Sequence, residues 1–312
     1  MPSINRNSRI LITGGAGFIG SHLAEHLLTL DARVTILDPL EDHSNIAHIL
    51  PDIQLIKGNL IDQLLQGFEL ADYDFIFHLA GNNFVPRSVE NPVYDFDANL
   101  GCTFALLEGL RVLKTPPRLI NMSSGAVYGN PQRIPICEDD PTLPISPYGV
   151  SKLAAERYVA VYSQIYGLET VTLRVFSAYG PRQRKLAVYE LLHRLKQNPQ
   201  RLEVIGDGQQ ARDFIYVSDV VQALVKAACH SPAKGEVYNT ASGKSVSIQQ
   251  LVDLWCRLTG LNPEIVYLGK VRPGEPERWQ VDIRRLLQLG FAPLISLEDG
   301  LKYVLEWYEA NL

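Results

Sequence analysis

The sequence predicts an α/β protein built on a doubly wound parallel sheet, with a smaller mixed α/β region attached. Three observations predict it. A glycine-rich stretch, Thr13-Gly14-Gly15-Ala16-Gly17-Phe18-Ile19-Gly20, lies between an apolar run and a helical pattern. Short apolar runs then alternate with helical stretches through the first half of the chain. Beyond Gly180 that rhythm breaks into shorter segments punctuated by Asn198-Pro199, Gly206-Asp207-Gly208, Ser231-Pro232 and Asn262-Pro263. Strands alternating with helices imply a parallel sheet covered on both faces.

Taken in order, Ser8-Arg9-Ile10-Leu11-Ile12 reads as a short buried strand, and Ser21 to Leu28 as an amphipathic helix that starts where the glycines stop. Strand, glycine turn and helix in that order form a pyrophosphate cradle of the Rossmann type. Gly14, Gly17 and Gly20 permit the tight turn, the close backbone approach and the packing of helix on strand, while the helix N-terminus faces the anion. A glycine turn without a ligand is the plainer alternative, and its flanking strand and helix speak against it. A second strand, Arg33 to Leu37, ends in Asp38, near the ~20 residues beyond the loop at which a carboxylate binds ribose hydroxyls. A carboxylate there repels a 2′-phosphate, which favours NAD over NADP.

Further strands are expected at Ile53–Lys57, Tyr73–Ala80, Arg118–Ser123 and Glu169–Val175, with helices over Val93–Leu113 and Pro147–Tyr166. Residues 1–180 then form a cofactor-binding domain, with a return of the chain to it around 217–243, and residues 181–312 are mainly a substrate-binding region. Ser146-Pro147 is a good helix start, with serine as N-cap and proline in the first turn. Tyr148 and Lys152 follow one turn apart on one face. A nearby ammonium, a positive nicotinamide and a helix N-terminus each favour phenolate, so the tyrosine pKa is expected below its usual ~10. Ser123-Ser124 closes a predicted strand at the sheet edge where ligands of open α/β sheets bind. A dinucleotide site beside a proton-exchanging phenol is the skeleton of a hydride-transfer enzyme.

Composition narrows the partners. A chain of 312 residues, 46% hydrophobic and 20% charged, is an ordinary globular protein with room for one large domain or two modest ones. The net charge of −5 gives no global basic field for nucleic acid. Arg182-Gln183-Arg184-Lys185 is either a solvated turn or an anion site. No apolar run reaches membrane-spanning length and Met1-Pro2-Ser3-Ile4-Asn5 lacks a signal pattern, so a cytoplasmic protein with no membrane partner is expected. Cys102, Cys137, Cys229 and Cys256 share no metal or redox spacing, and no metal site is expected.

Together the motifs resemble the extended short-chain dehydrogenases/reductases, specifically the NAD-dependent nucleotide-sugar epimerase/dehydratase group typified by UDP-glucose 4-epimerase. The resemblance rests on the Gly14/Gly17/Gly20 loop, Asp38, His78-Leu79-Ala80, Asn99-Leu100-Gly101-Cys102-Thr103, Ser123 to Gly129, Tyr148 with Lys152, Tyr179 to Gln183, Arg212 to Val220, and Arg272-Pro273-Gly274-Glu275. It implies Ser124, Tyr148 and Lys152 as the catalytic triad. It implies an NAD site made by Gly14, Gly17, Phe18, Ile19, Gly20, Asp38, Asn59, Leu60, Leu79, Ala80, Gly81, Asn99, Ser123, Tyr148, Lys152 and Phe176. The nucleotide sugar, with UDP as the expected nucleotide, would meet Ser124, Tyr148, Ser177, Arg212 and Arg272. For Arg212 an ion pair with Asp213 or Asp219 is the structural alternative. The resemblance also implies a homodimer joined through the two long helices.

Departures from the group's pattern bear on the reaction. Sugar 4,6-dehydratases carry Asp-Glu after the catalytic hydroxyl residue; here Gly125-Ala126 can do no acid–base work. The glutamate usual in that loop of the decarboxylases is absent too. Ser177 replaces a common Asn, Asn59 a common Asp, and Gly81 a usual Ala. The expected reaction is epimerisation of a nucleotide sugar at C4 through a transient 4-keto intermediate. The alternatives are reduction of a 4-keto nucleotide sugar or a non-catalytic NAD-sensing role.

Overall fold

Runs rich in Val, Ile, Leu and Phe form the strands β1 (Arg9–Thr13), β2 (Arg33–Asp38), β3 (Gln54–Lys57), β4 (Phe75–His78), β5 (Arg118–Ser124) and β6 (Thr170–Val175). Between them lie the helices α1 (Phe18–Thr29), α2 (Leu60–Leu65), α3 (Val85–Glu90), α4 (Pro92–Phe96), α5 (Cys102–Arg111) and α6 (Pro147–Tyr166). The second half contributes β7 (Ser177–Tyr179), α7 (Leu186–Gln197), β8 (Arg201–Val204), β9 (Ala211–Tyr216), α8 (Val217–His230), β10 (Lys234–Thr240), β11 (Ser245–Ser247), α9 (Ile248–Thr259), β12 (Glu264–Tyr267), α10 (Arg284–Leu287) and α11 (Leu297–Ala310). This is a computed structural model, and it describes residues 2–269, 274 and 277–311.

Seven parallel strands make the central sheet, in the order β10-β6-β5-β4-β1-β2-β3. The chain builds β1 to β3 outward on one side and then returns to lay β4 against the other side of β1. The order therefore reverses at β1/β4, and ligands of such sheets bind outside the carboxyl ends of the strands at that point. One face is buried by α1 and α8, where Leu23, Leu27, Val220 and Leu224 meet Ile10, Ile12 and Phe77. The other is buried by α5 and α6 through Leu106, Leu110 and Val159 against Leu11, Ile76 and Leu119. A separate core built around Trp255 gathers α7, α9 and α11 with β8 and β12. A three-stranded sheet, β11-β9-β7, contributes Tyr179 and Phe214 to this separate core.

Two expected helices differ. The first starts at Phe18, inside the glycine loop, because Gly17 takes the N-cap position and Gly20 already packs in the first turn. A Cβ on Gly20 would lie 2.4 Å from the Gly14 carbonyl oxygen. The stretch expected as one helix from Val93 to Leu113 is instead α4, a π-helical turn over Asp97–Gly101, and α5. Pro92 starts α4, and the Asn91 side chain caps it by accepting from the Tyr94 N–H at 3.0 Å. The second long helix keeps its expected bounds. Ser146 Oγ accepts from the Gly149 N–H at 3.1 Å, and Gly167 ends it in the left-handed conformation.

Candidate active site

The glycine loop is shaped by what lies behind it. Gly14 has φ +75°, and a Cβ there would lie 2.7 Å from the backbone nitrogen of Ala80 at the end of β4. The loop thus presses on the switch point of the sheet. No side chain caps the first turn of α1, so its N–H groups face the space above the glycines. Asp38 ends β2 beside them, buried, with Oδ2 accepting from the Ala16 N–H and Oδ1 from the Leu40 N–H, both at 2.9 Å. Burial raises the Asp38 carboxyl above its ordinary value, while those two bonds oppose the shift. Each oxygen keeps a lone pair for another donor. A helix N-terminus free of side-chain caps, a loop in which a Cβ has no room and a carboxylate one strand away fit a dinucleotide.

These features open into a cavity of about 850 Å³. Of the expected site residues, Gly14, Gly17, Phe18, Ile19, Gly20, Asp38, Asn59, Leu60, Leu79, Ala80, Gly81, Ser123, Ser124, Tyr148, Phe176, Ser177 and Arg212 line it. Asn99 and Lys152 are buried beside the wall that Gly81 forms. A Cβ on Gly81, at φ +145°, would lie 2.3 Å from Asn99 Oδ1 and 3.4 Å from Lys152 Nζ. Gly81 in place of alanine is therefore a consequence of how Asn99 is placed. Asn59 also caps α2, accepting from the Ile61 N–H at 2.8 Å. Arg272 lies outside the described residues.

The triad sits at the carboxyl edge of the sheet. Ser124 is the last residue of β5, and its Oγ accepts from the Ala126 N–H at 3.1 Å. Tyr148 and Lys152 occupy the first turns of α6, both buried. Lys152 Nζ donates to the Met122 carbonyl oxygen at 3.2 Å. Here one expectation is corrected. Burial pushes the Tyr148 phenol up to about 12, with a lowering contribution from Ser124 and a raising one from the Asp95 carboxylate. Burial likewise pulls the Lys152 ammonium down to about 8, opposed by Cys102 and Asp95. Among the chain's own groups, desolvation outweighs the Ser124 hydrogen bond that favours phenolate.

Around Ser124, Tyr148 and Lys152, the buried His78 and Cys102 are held without charge. His78 is bracketed by Thr13 Oγ1 at 2.7 Å and Thr103 Oγ1 at 3.1 Å, and burial holds it neutral down to about 3. Cys102 is a buried thiol pushed up to about 11, unsuited to redox work. Phe176 lies flat against Tyr128 and edge-on to Trp279, with centroids 6.0 and 5.1 Å away. A Cβ on Gly125 would lie 2.6 Å from the Phe176 ring, so no carboxylate fits where a dehydratase carries one.

Several further residues line the cavity. Val85, Pro86, Arg87 and Tyr94 reach the cavity from α3 and α4, and Lys185, Gln210, Phe214 and Trp279 from the second region. No spacing signals them, because they converge from separate elements. The basic run at 182–185 disperses: Arg182 pairs with Glu25 and Ser21 on α1, Arg184 lies over Trp307, and Lys185 lies over Phe84. Arg212 donates to the carbonyl oxygens of Ala211 and Glu277 and lies over Trp279. Asp213 and Asp219 accept from Ser242 and from the Leu294 and Ile295 N–H groups. Among the described residues no group of side chains could hold a metal, and no helix is long and apolar enough to cross a membrane.

Comparison with known proteins agrees with this geometry. The UDP-glucose 4-epimerase of Mycolicibacterium smegmatis is 32% identical over 311 residues, spanning 96% of this chain and 98% of the relative. The UDP-N-acetylglucosamine 4-epimerase of Methanobrevibacter ruminantium, solved with UDP-N-acetylmuramic acid, superposes with a TM-score of 0.91 at 30% identity, covering 98% of this chain and 99% of that one. The UDP-glucuronic acid 4-epimerase of Bacillus cereus, solved with UDP-glucuronic acid and NAD, gives 0.88 at 31% identity over 97% and 100%. The family model described as the NAD dependent epimerase/dehydratase family matches residues 10–241, and the chain belongs to that family.

Proposed function

We propose that this chain is an NAD-dependent epimerase that inverts C4 of a UDP-linked sugar through a transient 4-keto sugar. The carrying observation is the pairing of an intact Ser124–Tyr148–Lys152 site, beside a dinucleotide cradle, with a Gly125-Ala126 step that supplies no second acid or base. The named relatives all act on UDP-linked sugars at C4, which supports both nucleotide and position.

Residues 1–180 with 217–243 serve as the cofactor-binding body, and 181–312 mainly as the sugar-nucleotide region. NAD is held by the α1 N-terminus, the Gly14/Gly17/Gly20 loop, Asp38 and Lys152, and when bound it supplies a hydride acceptor and a positive charge beside the phenol. Tyr148 takes the proton of the sugar hydroxyl and later returns it, so no net proton leaves the site. Ser124 hydrogen-bonds the same sugar oxygen and fixes its angle. Arg212, and Arg272 as the family pattern implies, grip the diphosphate by charge-assisted bonds. Ser177, smaller than the usual Asn, leaves room for the keto sugar to present its other face.

The same proposal includes a homodimer. Val93, Phe96, Val150 and Ile165, on α4 and α6, are 70, 52, 54 and 67% exposed. Apolar exposure grouped on adjacent helices marks an interaction surface. A cytoplasmic location accords with four free thiols. The function is tested by incubating the protein with UDP-, GDP-, dTDP- and CDP-sugars without added cofactor. A UDP-sugar converted to a product of identical mass is expected. Steady oxidation of added reduced cofactor by a 4-keto sugar, with no isomerised product, would make it a reductase.

A further inference from the structure

A buried carboxylate stands beside the catalytic pair and has no part in the mechanism above. Asp95, in α4, is fully buried. Its Oδ1 accepts from Asn82 Nδ2 at 2.7 Å and from Asn99 Nδ2 at 3.0 Å. Its Oδ2 has no hydrogen-bond partner among the described residues, and neither has Asn99 Oδ1. A buried, half-unpaired carboxylate is expensive unless a charge compensates it. That charge is at hand, because α4 packs on α6 and Asp95 acts electrostatically on Lys152. Asn99 stands between them: its Nδ2 donates to Asp95, and its Oδ1 and Lys152 Nζ both border the space that a Cβ on Gly81 would fill.

We propose that Asp95 is a positioning residue and the buried counter-charge of the Tyr148–Lys152 pair, setting the pH range over which phenol and ammonium keep their protons. This rests on the reading of Tyr148 as the acid–base group. A fixed negative charge favours the Lys152 ammonium and disfavours the Tyr148 phenolate, so both groups release their protons at higher pH than they would beside a neutral side chain. It keeps Lys152 cationic against the burial that strips its charge. It also makes Tyr148 a base only when further positive charge arrives, which confines proton transfer to the loaded site.

His78 and Cys102, buried beside this pair, do not change charge in the working range. His78, from β4, stays neutral down to about 3, and Cys102, from α5, keeps its proton up to about 11. Arg87, from α3, is exposed and lies over Tyr94, and Asp97 is exposed on the π turn. Through Asn82, Asp95 also ties down the cavity loop after β4, where Asn82 Nδ2 donates to the Phe84 carbonyl oxygen at 3.1 Å.

The test is Asp95→Asn in the NAD-loaded enzyme, which keeps the Oδ1 acceptor and the shape. Both limbs of the pH–rate profile should move to lower pH by about one unit, a roughly tenfold change in proton concentration. The ultraviolet titration of the Tyr148 phenolate, taken as a difference from Tyr148→Phe in the same background, should move the same way. Asp95→Glu should keep limbs and titration at the wild-type pH even where the rate falls. A profile that drops in height with limbs and phenolate unmoved, or an Asp95→Glu profile that shifts as Asp95→Asn does, overturns the proposal. If Asp95→Asn does not fold, Asp95→Ser carries the same expectation. The titration needs no sugar. A shifted phenolate in a protein that epimerises nothing would refute the epimerase reading and leave the role of Asp95 standing.

Discussion

At Tyr148 the competing effects are all visible, and burial wins among the chain's own groups, raising the phenol to about 12. In the proposed mechanism it acts on the reacting hydroxyl, so Tyr148→Phe should lower kcat by on the order of 10²–10⁴-fold while cofactor stays bound. Absorbance of the bound cofactor and product assay read the two effects separately; near-normal turnover would assign the base elsewhere. Asp38, with lone pairs left on both oxygens, should make NAD bind more tightly than NADP, and Asp38→Asn should narrow the gap in paired titrations. Tighter binding of NADP by the wild type would remove Asp38 from the ribose site. Asp213 supplies a pH dependence of stability. Burial raises its carboxyl to about 6, against bonds from Ser242 that oppose the shift. The folded chain therefore holds a proton between about pH 4 and pH 6 that the unfolded chain has released. This contribution is complete below pH 4 and is lost as pH rises through 6, by roughly 2–3 kcal/mol. Asp213→Asn should flatten that slope in urea unfolding, and an unchanged slope would place its origin in other groups.

Among elements, α6 carries both Tyr148 and Lys152, and its seat on the sheet is a buried ion pair. Arg174 of β6 binds both oxygens of Glu156, with its Nε donating to Oε2 at 3.0 Å, and its Nη1 donates to the Tyr128 hydroxyl at 2.5 Å. Tyr128 in turn donates to Asn239 Oδ1 of β10 at 2.8 Å. Removing one member strands a buried charge, so Arg174→Met should cost on the order of 3–5 kcal/mol, read from chemical denaturation. A loss under one would mean that water repairs the site. The start of α6 was announced to the residue, because Ser146 and Pro147 are strong local signals. The expected helix over 93–113 failed for the opposite reason. Its apolar spacing is continuous, but the π turn at Asp97–Gly101 follows from the side chains of Asp95 and Asn99 turning inward, which no spacing records. That the glycine loop, Asp38, Ser124 and Tyr148 meet at one cavity was legible, because each is a short motif in a fixed local context. Trp279, Lys185 and Arg87 were not, because the cavity brings them together from distant parts of the chain.

At the scale of the whole molecule, two cores face one cavity: the sheet with its glycine loop on one side, and the body around Trp255 on the other. For the proposed dimer through α4 and α6, light scattering at micromolar concentration should give twice the mass of a chain; a monomer would contradict the paired-helix arrangement. In the proposed epimerisation the hydrogen taken from the sugar carbon goes back to that same carbon. A UDP-sugar carrying deuterium at C4 follows that hydrogen. The expected product is an epimer that retains the deuterium at C4, formed without added cofactor and with no hydrogen drawn from solvent. Deuterium washed out into water, or a product whose mass differs from that of the substrate, would contradict it.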